Sequence, residues 1–128
     1  MRLLLDTHAL LWWWAGDERF PPRMRPVIAS DGTKVFVSAI SALEIATKVR
    51  IGKLEEARIL VERYDQYVDE QGFSVLPVSN AQARRAGLLN GPHRDPFDRV
   101  ITAQAIMEGL QVVTCDDAIA KLGAETLW

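Results

Sequence analysis

Apolar positions along the chain come in two alternating rhythms. Short continuous runs stand at Arg2–Leu5 (RLLL), Lys34–Val37 (KVFV), Phe73–Val78 (FSVLPV) and Leu110–Thr114 (LQVVT), with a last brief one at Glu125–Leu127. Short apolar runs rich in β-branched residues and bounded by turn residues predict buried strands. Between them the pattern predicts helices. His8–Ala15 follows Asp6 or Thr7 as N-cap and stops at Gly16. A helix near Arg23–Ser30 follows Pro21-Pro22 and ends at the Asp31-Gly32 turn. Ile40–Ile51 carries Ala42, Ile45, Ala46 and Val49 on one face, and Gly52 ends it. Glu55–Gln71 is a longer amphipathic helix, and Ser79 caps another through Leu89. Asn90-Gly91-Pro92 breaks the chain before Pro96–Glu108, which Gly109 closes, and Asp117–Leu122 adds one or two turns. Strands alternating with helices predict an α/β fold on a mostly parallel sheet of about five strands. No linker, repeat or low-complexity tract divides residues 1–128, so one domain is expected.

The Pro96–Glu108 helix departs from ordinary amphipathicity. Val100, Ile101, Ala103, Ala105, Ile106 and Met107 surround it. A helix apolar nearly all round is a buried one. Asp95-Pro96 reads as N-cap and first helical residue. Asp98 then falls in the first turn, at the edge of the core, where an unpaired charge is costly. In the His8–Ala15 helix, Trp12, Trp13 and Trp14 are spaced by about 100° and cannot all face one core. At least one must meet another element or a partner chain.

Composition narrows the classes. The chain is 48% hydrophobic and 25% charged, which excludes disordered and collagen-like types. A net charge of −2 means that any nucleic acid must meet a local basic patch. One cysteine, Cys115, excludes an internal disulfide and fits a reducing compartment. One Cys and two His argue against structural zinc. The run in MRLLLDT is short for a signal-peptide core, and no window nears the ~20 apolar residues of a membrane span. A cytoplasmic location is expected.

Four acids share one address. Asp6 follows the first strand, Glu44 lies in the first turn of the helix after the second, Asp98 opens the buried helix, and Asp116 follows Thr114. Ligand sites of open α/β sheets lie beyond the carboxyl ends of the strands. Each acid alone has a structural explanation. Asp6 and Asp116 suit N-caps, Ser41-x-x-Glu44 spells a capping box, Glu44 stands at i, i+4 to Lys48, and Asp98 suits a helix dipole. Together they form a hard, oxygen-rich set suited to Mg²⁺ or Mn²⁺. Two such ions about 4 Å apart stabilise the attacking and leaving oxygens of an in-line displacement. The expected reaction is metal-dependent hydrolysis of a phosphodiester.

The stretches LLLDTHALLW (3–12), VSAISALEIATKVRIGKL (37–54), HRDPFDRVITAQA (93–105) and VVTCDDAIAKLGAETLW (112–128) resemble the PIN domain, and more narrowly the VapC-type toxins of bacterial toxin–antitoxin pairs. The resemblance implies a Mg²⁺- or Mn²⁺-dependent endoribonuclease on a single α/β/α sandwich. It assigns the four acids to Asp6, Glu44, Asp98 and Asp116, with Asp6 and Asp98 the surest metal ligands. Thr7 and Thr114 resemble hydroxyl residues that orient them. Asp95 reads as the helix cap and Asp117 as a surface acid or cap. His8 and His93 read as packing and loop residues, and Cys115 as a small strand-end residue.

RNA contact falls to the rim. Lys48, Arg94 and Arg99 are candidates for phosphate, Arg99 alternatively pairing with a neighbouring acid. Arg50 and Lys53 read as solvated. The resemblance also implies a VapB-like antitoxin whose C-terminal segment lies in an apolar groove, with the Trp12–Trp14 and Glu55–Gln71 helices as walls. A homodimer, and larger toxin–antitoxin assemblies, are further expectations. Two rivals remain: a PIN-fold module that binds RNA or antitoxin without cutting, and an Asp-dependent phosphatase. The second fits less well, because one such class wants an acid two residues after Asp6, where His8 stands.

Overall fold

In the computed structural model, which describes residues 1–128, the run Arg2–Leu5 forms β1 at the centre of the sheet. Successive side chains of a strand face opposite sides. Leu3 and Leu5 accordingly enter the larger apolar cluster and Leu4 the smaller one. All three are fully buried, each worth about 2 kcal/mol relative to exposure. β2 (Lys34–Ser38), β3 (Ser74–Leu76), β4 (Gln111–Val113) and β5 (Thr126–Leu127) complete the sheet in the order β3-β2-β1-β4-β5. Every neighbouring pair is parallel. That is why each strand reads as a nearly unbroken apolar run: a parallel sheet is covered on both faces.

One face carries α1 (Thr7–Ala15), α2 (Arg25–Ala29), α3 (Ala39–Arg50), α4 (Arg58–Glu62) and α5 (Tyr64–Glu70). Leu10, Ile28, Ile45, Val49, Leu60 and Val68 are their core contributions. The other face carries α7 (Pro96–Glu108) and α8 (Asp117–Lys121), through Ile101, Ala105 and Ile119, with α6 (Asn80–Leu88) packed on α7. This is the expected α/β/α sandwich. Strand order reverses between β1 and β4, and Leu5 is in register with both Val37 and Val113. Asp6, Ser38 and Thr114 therefore leave the sheet at one edge, at the switch point where such folds bind ligands.

α7 has the expected bounds, with Asp95 Oδ1 accepting from Phe97 N at 2.9 Å and Gly109 in the left-handed conformation (φ 67°). Its burial differs from the expectation. Met107 is exposed, while the polar Thr102 and Gln104 are buried. Gln104 Nε2 donates to Pro77 O and to Gln82 Oε1, both at 3.1 Å, so part of the covered face is a polar contact with α6 and its approach.

Two further expectations are corrected. The Glu55–Gln71 helix is three pieces: a 3₁₀ turn at Glu55–Ala57, then α4 and α5, parted at Arg63, whose φ of −122° leaves the helical region. Ala57, Leu60, Tyr64 and Val68 keep helical spacing across the break and are all buried. The periodicity records the shared face and is blind to the kink. α3 begins at Ala39 with Ser38 as N-cap, its Oγ accepting from Ile40 N at 3.1 Å. Ser41 and Glu44 therefore do not form a capping box, and Glu44 lies in the second turn.

All three tryptophans find neighbours within the chain. Trp13 Nε1 donates to Gln71 Oε1 at 2.9 Å, and its ring meets Phe20 edge-on. Trp12 packs against Trp128, with the Arg19 guanidinium 4.9 Å from its ring centre. Trp14 turns toward α4 and α5. No helix is long and apolar enough to cross a membrane.

Candidate metal centre

Asp6 leaves β1 and caps α1. Its Oδ1 accepts from Ala9 N at 2.7 Å, and its Oδ2 accepts from Thr114 Oγ1. The same Thr114 oxygen accepts from Asp116 N at 2.9 Å. Asp116 in turn caps α8, its Oδ1 accepting from Ala118 N at 2.9 Å. One hydroxyl thus ties the acid after β1 to the acid after β4. Thr7, buried at the start of α1, shares a 2.9 Å hydrogen bond with the buried Ser41 of α3. That contact joins α1 to the helix carrying Glu44.

Glu44 is 4% exposed, so its i, i+4 pair with Lys48 is not the exposed salt bridge of the structural alternative. Lys48 Nζ donates to its Oε2 at 2.7 Å, while Oε1 is buried without a hydrogen-bond partner. A buried orphan carboxylate oxygen is costly and marks a place for a cation or a donor.

Asp98 stands in the first turn of α7. His93 Nε2 lies 2.9 Å from its Oδ2, and Thr102 Oγ1 donates to its backbone carbonyl at 2.8 Å. Burial raises the Asp98 carboxyl above its ordinary range, the His93 contact opposes that, and the charges of Asp95, Asp116 and Glu44 raise it further. Burial likewise pushes Asp6 up to about 6, against Thr114, Ala9 and His8, with the Asp98 charge adding to the rise. Asp98 thus feels Asp116 and Glu44 and in turn acts on Asp6. Crowded carboxylates of this kind repel and are relieved by a divalent cation.

The tightest grouping differs from the expected one. One ligand atom each from His93, Asp98 and Asp116 lie within 4.8 Å of one another. Asp6 and Glu44 stand outside that cluster, close enough to act on Asp98 by charge. His93, read from the sequence as a loop residue, is therefore a member of the site. The missed signal is its spacing: the Asp95-Pro96 helix start folds a residue five positions before Asp98 back over the first turn.

Arg99 also needs correcting. Its Nε donates to Ala86 O at 2.8 Å and its Nη1 to His93 O at 2.8 Å, while Nη2 reaches the carbonyls of Leu89 and Gly87. It holds neither an acid nor a free face for phosphate. It braces the end of α6 and the 89–93 loop against α7. Among the other rim candidates, Lys48 is bound to Glu44, and Arg94, Arg50 and Lys53 are exposed. Asp117 and Cys115 are exposed, and burial raises the Cys115 thiol.

Beside the acids lies a cavity of about 500 Å³, lined by His8, Trp12, Trp14, Lys48, Lys53 and Leu54 among others. A second, smaller one of about 130 Å³ is lined by Trp14, Ile59, Leu60 and Tyr67 among others. Trp14 lines both, on the side of α1 that faces the segment from the 3₁₀ turn to α5.

Carboxylates at the switch edge of a parallel sheet suit several chemistries, and comparison with known proteins separates them. The PIN domain family model matches residues 3–125. The chain belongs to the PIN domain family. Ribonuclease VapC22 of Mycobacterium tuberculosis (strain ATCC 25618 / H37Rv) is 31% identical over 114 residues, spanning 89% of this chain and 86% of that one. Among solved structures, VapBC2 from Rickettsia felis, bound to a DNA fragment from its promoter, aligns over 99% of this PIN domain chain and 98% of its own. The TM-score is 0.72 at 16% identity, a likeness of fold. FitAcB from Neisseria gonorrhoeae aligns over 98% and 96%, with TM-score 0.67 and 25% identity.

Proposed function

We propose that residues 1–128 act as one PIN domain, a divalent-metal-dependent endoribonuclease of a toxin–antitoxin pair. The observation that carries this reading is the grouping of His93, Asp98 and Asp116 ligand atoms within 4.8 Å at the switch edge, where the half-buried Asp98 carboxyl is raised by burial first and then by the charges of Asp95, Asp116 and Glu44. The family membership and the ribonuclease relative support the same reaction class.

Asp6, Glu44, Asp98 and Asp116 hold Mg²⁺ or Mn²⁺. When bound, such an ion supplies positive charge against the charge developing on the scissile phosphate and acidifies water at neutral pH. Thr114 fixes the Asp6 and Asp116 positions, and Thr7 sets α1 against α3. Lys48 balances Glu44 on the rim, and Arg94 offers charge to the RNA backbone. No side-chain nucleophile is required.

A VapB-like antitoxin lies along the two cavities beside α1 and silences the enzyme. Their apolar lining by Trp12, Trp14, Leu54 and Leu60, with Lys48 lining the larger one, supports that assignment. The protein works in the cytoplasm and pairs as a homodimer.

Cleavage of single-stranded RNA with Mg²⁺ or Mn²⁺ tests the reading. Wild type cuts, while Asp6→Asn and Asp98→Asn lose at least a hundredfold in rate. Equal rates in all three proteins would exclude it.

A further inference from the structure

The proposed carboxylate site leaves one neighbour without a role. His93 sits in the 89–95 loop, 29% exposed at its side chain, with its imidazole directed at Asp98. Two contacts fix it there. Nε2 meets Asp98 Oδ2 at 2.9 Å, and the loop's own carbonyl at His93 is held by Arg99 Nη1 at 2.8 Å. The ring is therefore built into place by a brace from α7.

The spacing is that of a coordination shell. With metal–ligand bonds of about 2.1 Å, adjacent ligand atoms of an octahedral ion stand about 3 Å apart and opposite ones about 4.2 Å. The His93–Asp98 pair has the adjacent spacing, and all three atoms of His93, Asp98 and Asp116 fall within 4.8 Å. One ion reaches all three with shifts of about half an ångström. The three residues arrive from a loop, a helix start and a strand end, and the unpartnered Glu44 oxygen is a separate sign that a cation belongs nearby.

We propose that His93 is a direct nitrogen ligand of the divalent ion, so that the centre is a mixed imidazole–carboxylate site. The inference rests on the metal-dependent reading above and deepens it. The ring carries its proton on Nδ1 when the ion is bound, leaving the Nε2 lone pair to the metal. A nitrogen donor favours Mn²⁺ and the later first-row ions, whereas Mg²⁺ prefers oxygen. The chain consequently binds Mn²⁺ more tightly than Mg²⁺ by a margin that His93 sets.

Pulsed electron paramagnetic resonance of Mn²⁺ bound to the full chain tests this directly. His8 and His93 are the two histidines, so the assignment is unambiguous. Wild type shows ¹⁴N modulation from a coordinated imidazole. His93→Gln abolishes it, His8→Gln retains it, and histidine-selective ¹⁵N labelling shifts it without any substitution. By calorimetry, His93→Gln weakens Mn²⁺ about tenfold and Mg²⁺ less than threefold. Mn²⁺ bound to the wild type without imidazole modulation, or equal losses for both ions, would overturn the ligand role and leave the carboxylate site standing. Failure of the wild type to bind Mn²⁺ at all would overturn both.

Discussion

Thr114 Oγ1 donates to Asp6 Oδ2 and accepts from Asp116 N, so a single hydroxyl sets the distance between the acids that follow β1 and β4. Thr114→Val keeps the shape and removes both bonds. The Asp116 N–H and an Asp6 oxygen are then left short of partners. The variant loses about 1–3 kcal/mol in urea unfolding. It binds Mn²⁺ about 10–100-fold more weakly in calorimetry, as expected for loss of an orienting contact.

The Asp6 carboxyl gives a signed pH dependence. Its folded value of about 6 lies above the ordinary 3.8. The folded protein therefore holds this proton more tightly than the unfolded chain does. The contribution is complete below the unfolded value and is lost as pH rises through about 4 to 6, on the order of 3 kcal/mol in all. Melting temperature measured from pH 4 to 7.5 in a chelator should fall more steeply for wild type than for Asp6→Asn. A divalent ion, binding the charged form, reverses much of the loss near neutral pH.

Lys48 and Glu44 form an i, i+4 pair whose acid is buried and whose base is 34% exposed at the side chain. Such a pair is intermediate between a surface bridge, worth ~0–1 kcal/mol, and a buried one, whose disruption costs ~3–5. Lys48→Met should destabilise the metal-free protein by about 2 kcal/mol. Saturating Mn²⁺ should recover most of it, measured by thermal unfolding with and without the ion.

Arg99 is a brace, and substitution should read as one. Arg99→Lys reaches one carbonyl at best, because an ammonium lacks the planar fork. A loss of about 2–4 kcal/mol is expected from several charge-assisted bonds. The salt dependence of RNA binding should stay as in the wild type. A slope reduced by one phosphate contact would show that the guanidinium had been free for RNA.

How much of this was legible in the sequence follows from which forces the pattern records. β1 and α7 were readable because a doubly covered strand and a capped helix both leave local marks: RLLL before Asp6, and Asp95-Pro96 with Gly109. Glu44 was readable as a member of the acid set but misplaced in its helix, since Ser38 and Ser41 are both credible caps and only packing decides. The Arg99 brace and the approach of His93 to Asp98 were not legible for one reason. Their partners are the Ala86, Leu89 and His93 carbonyls and the Asp98 side chain, brought close by a loop whose path has no periodicity.

β1 is fully buried from Leu3 to Leu5 and paired on both sides, whereas His93 hangs from an irregular loop. The two halves of the acidic centre consequently belong to different exchange regimes. Amide protons of Leu4 and Leu5 escape to solvent only when the whole molecule unfolds, while those around His93 escape by local opening. A cation bridging the halves would slow exchange in the loop and leave β1 unchanged, making the loop the part of the enzyme whose order depends on occupancy.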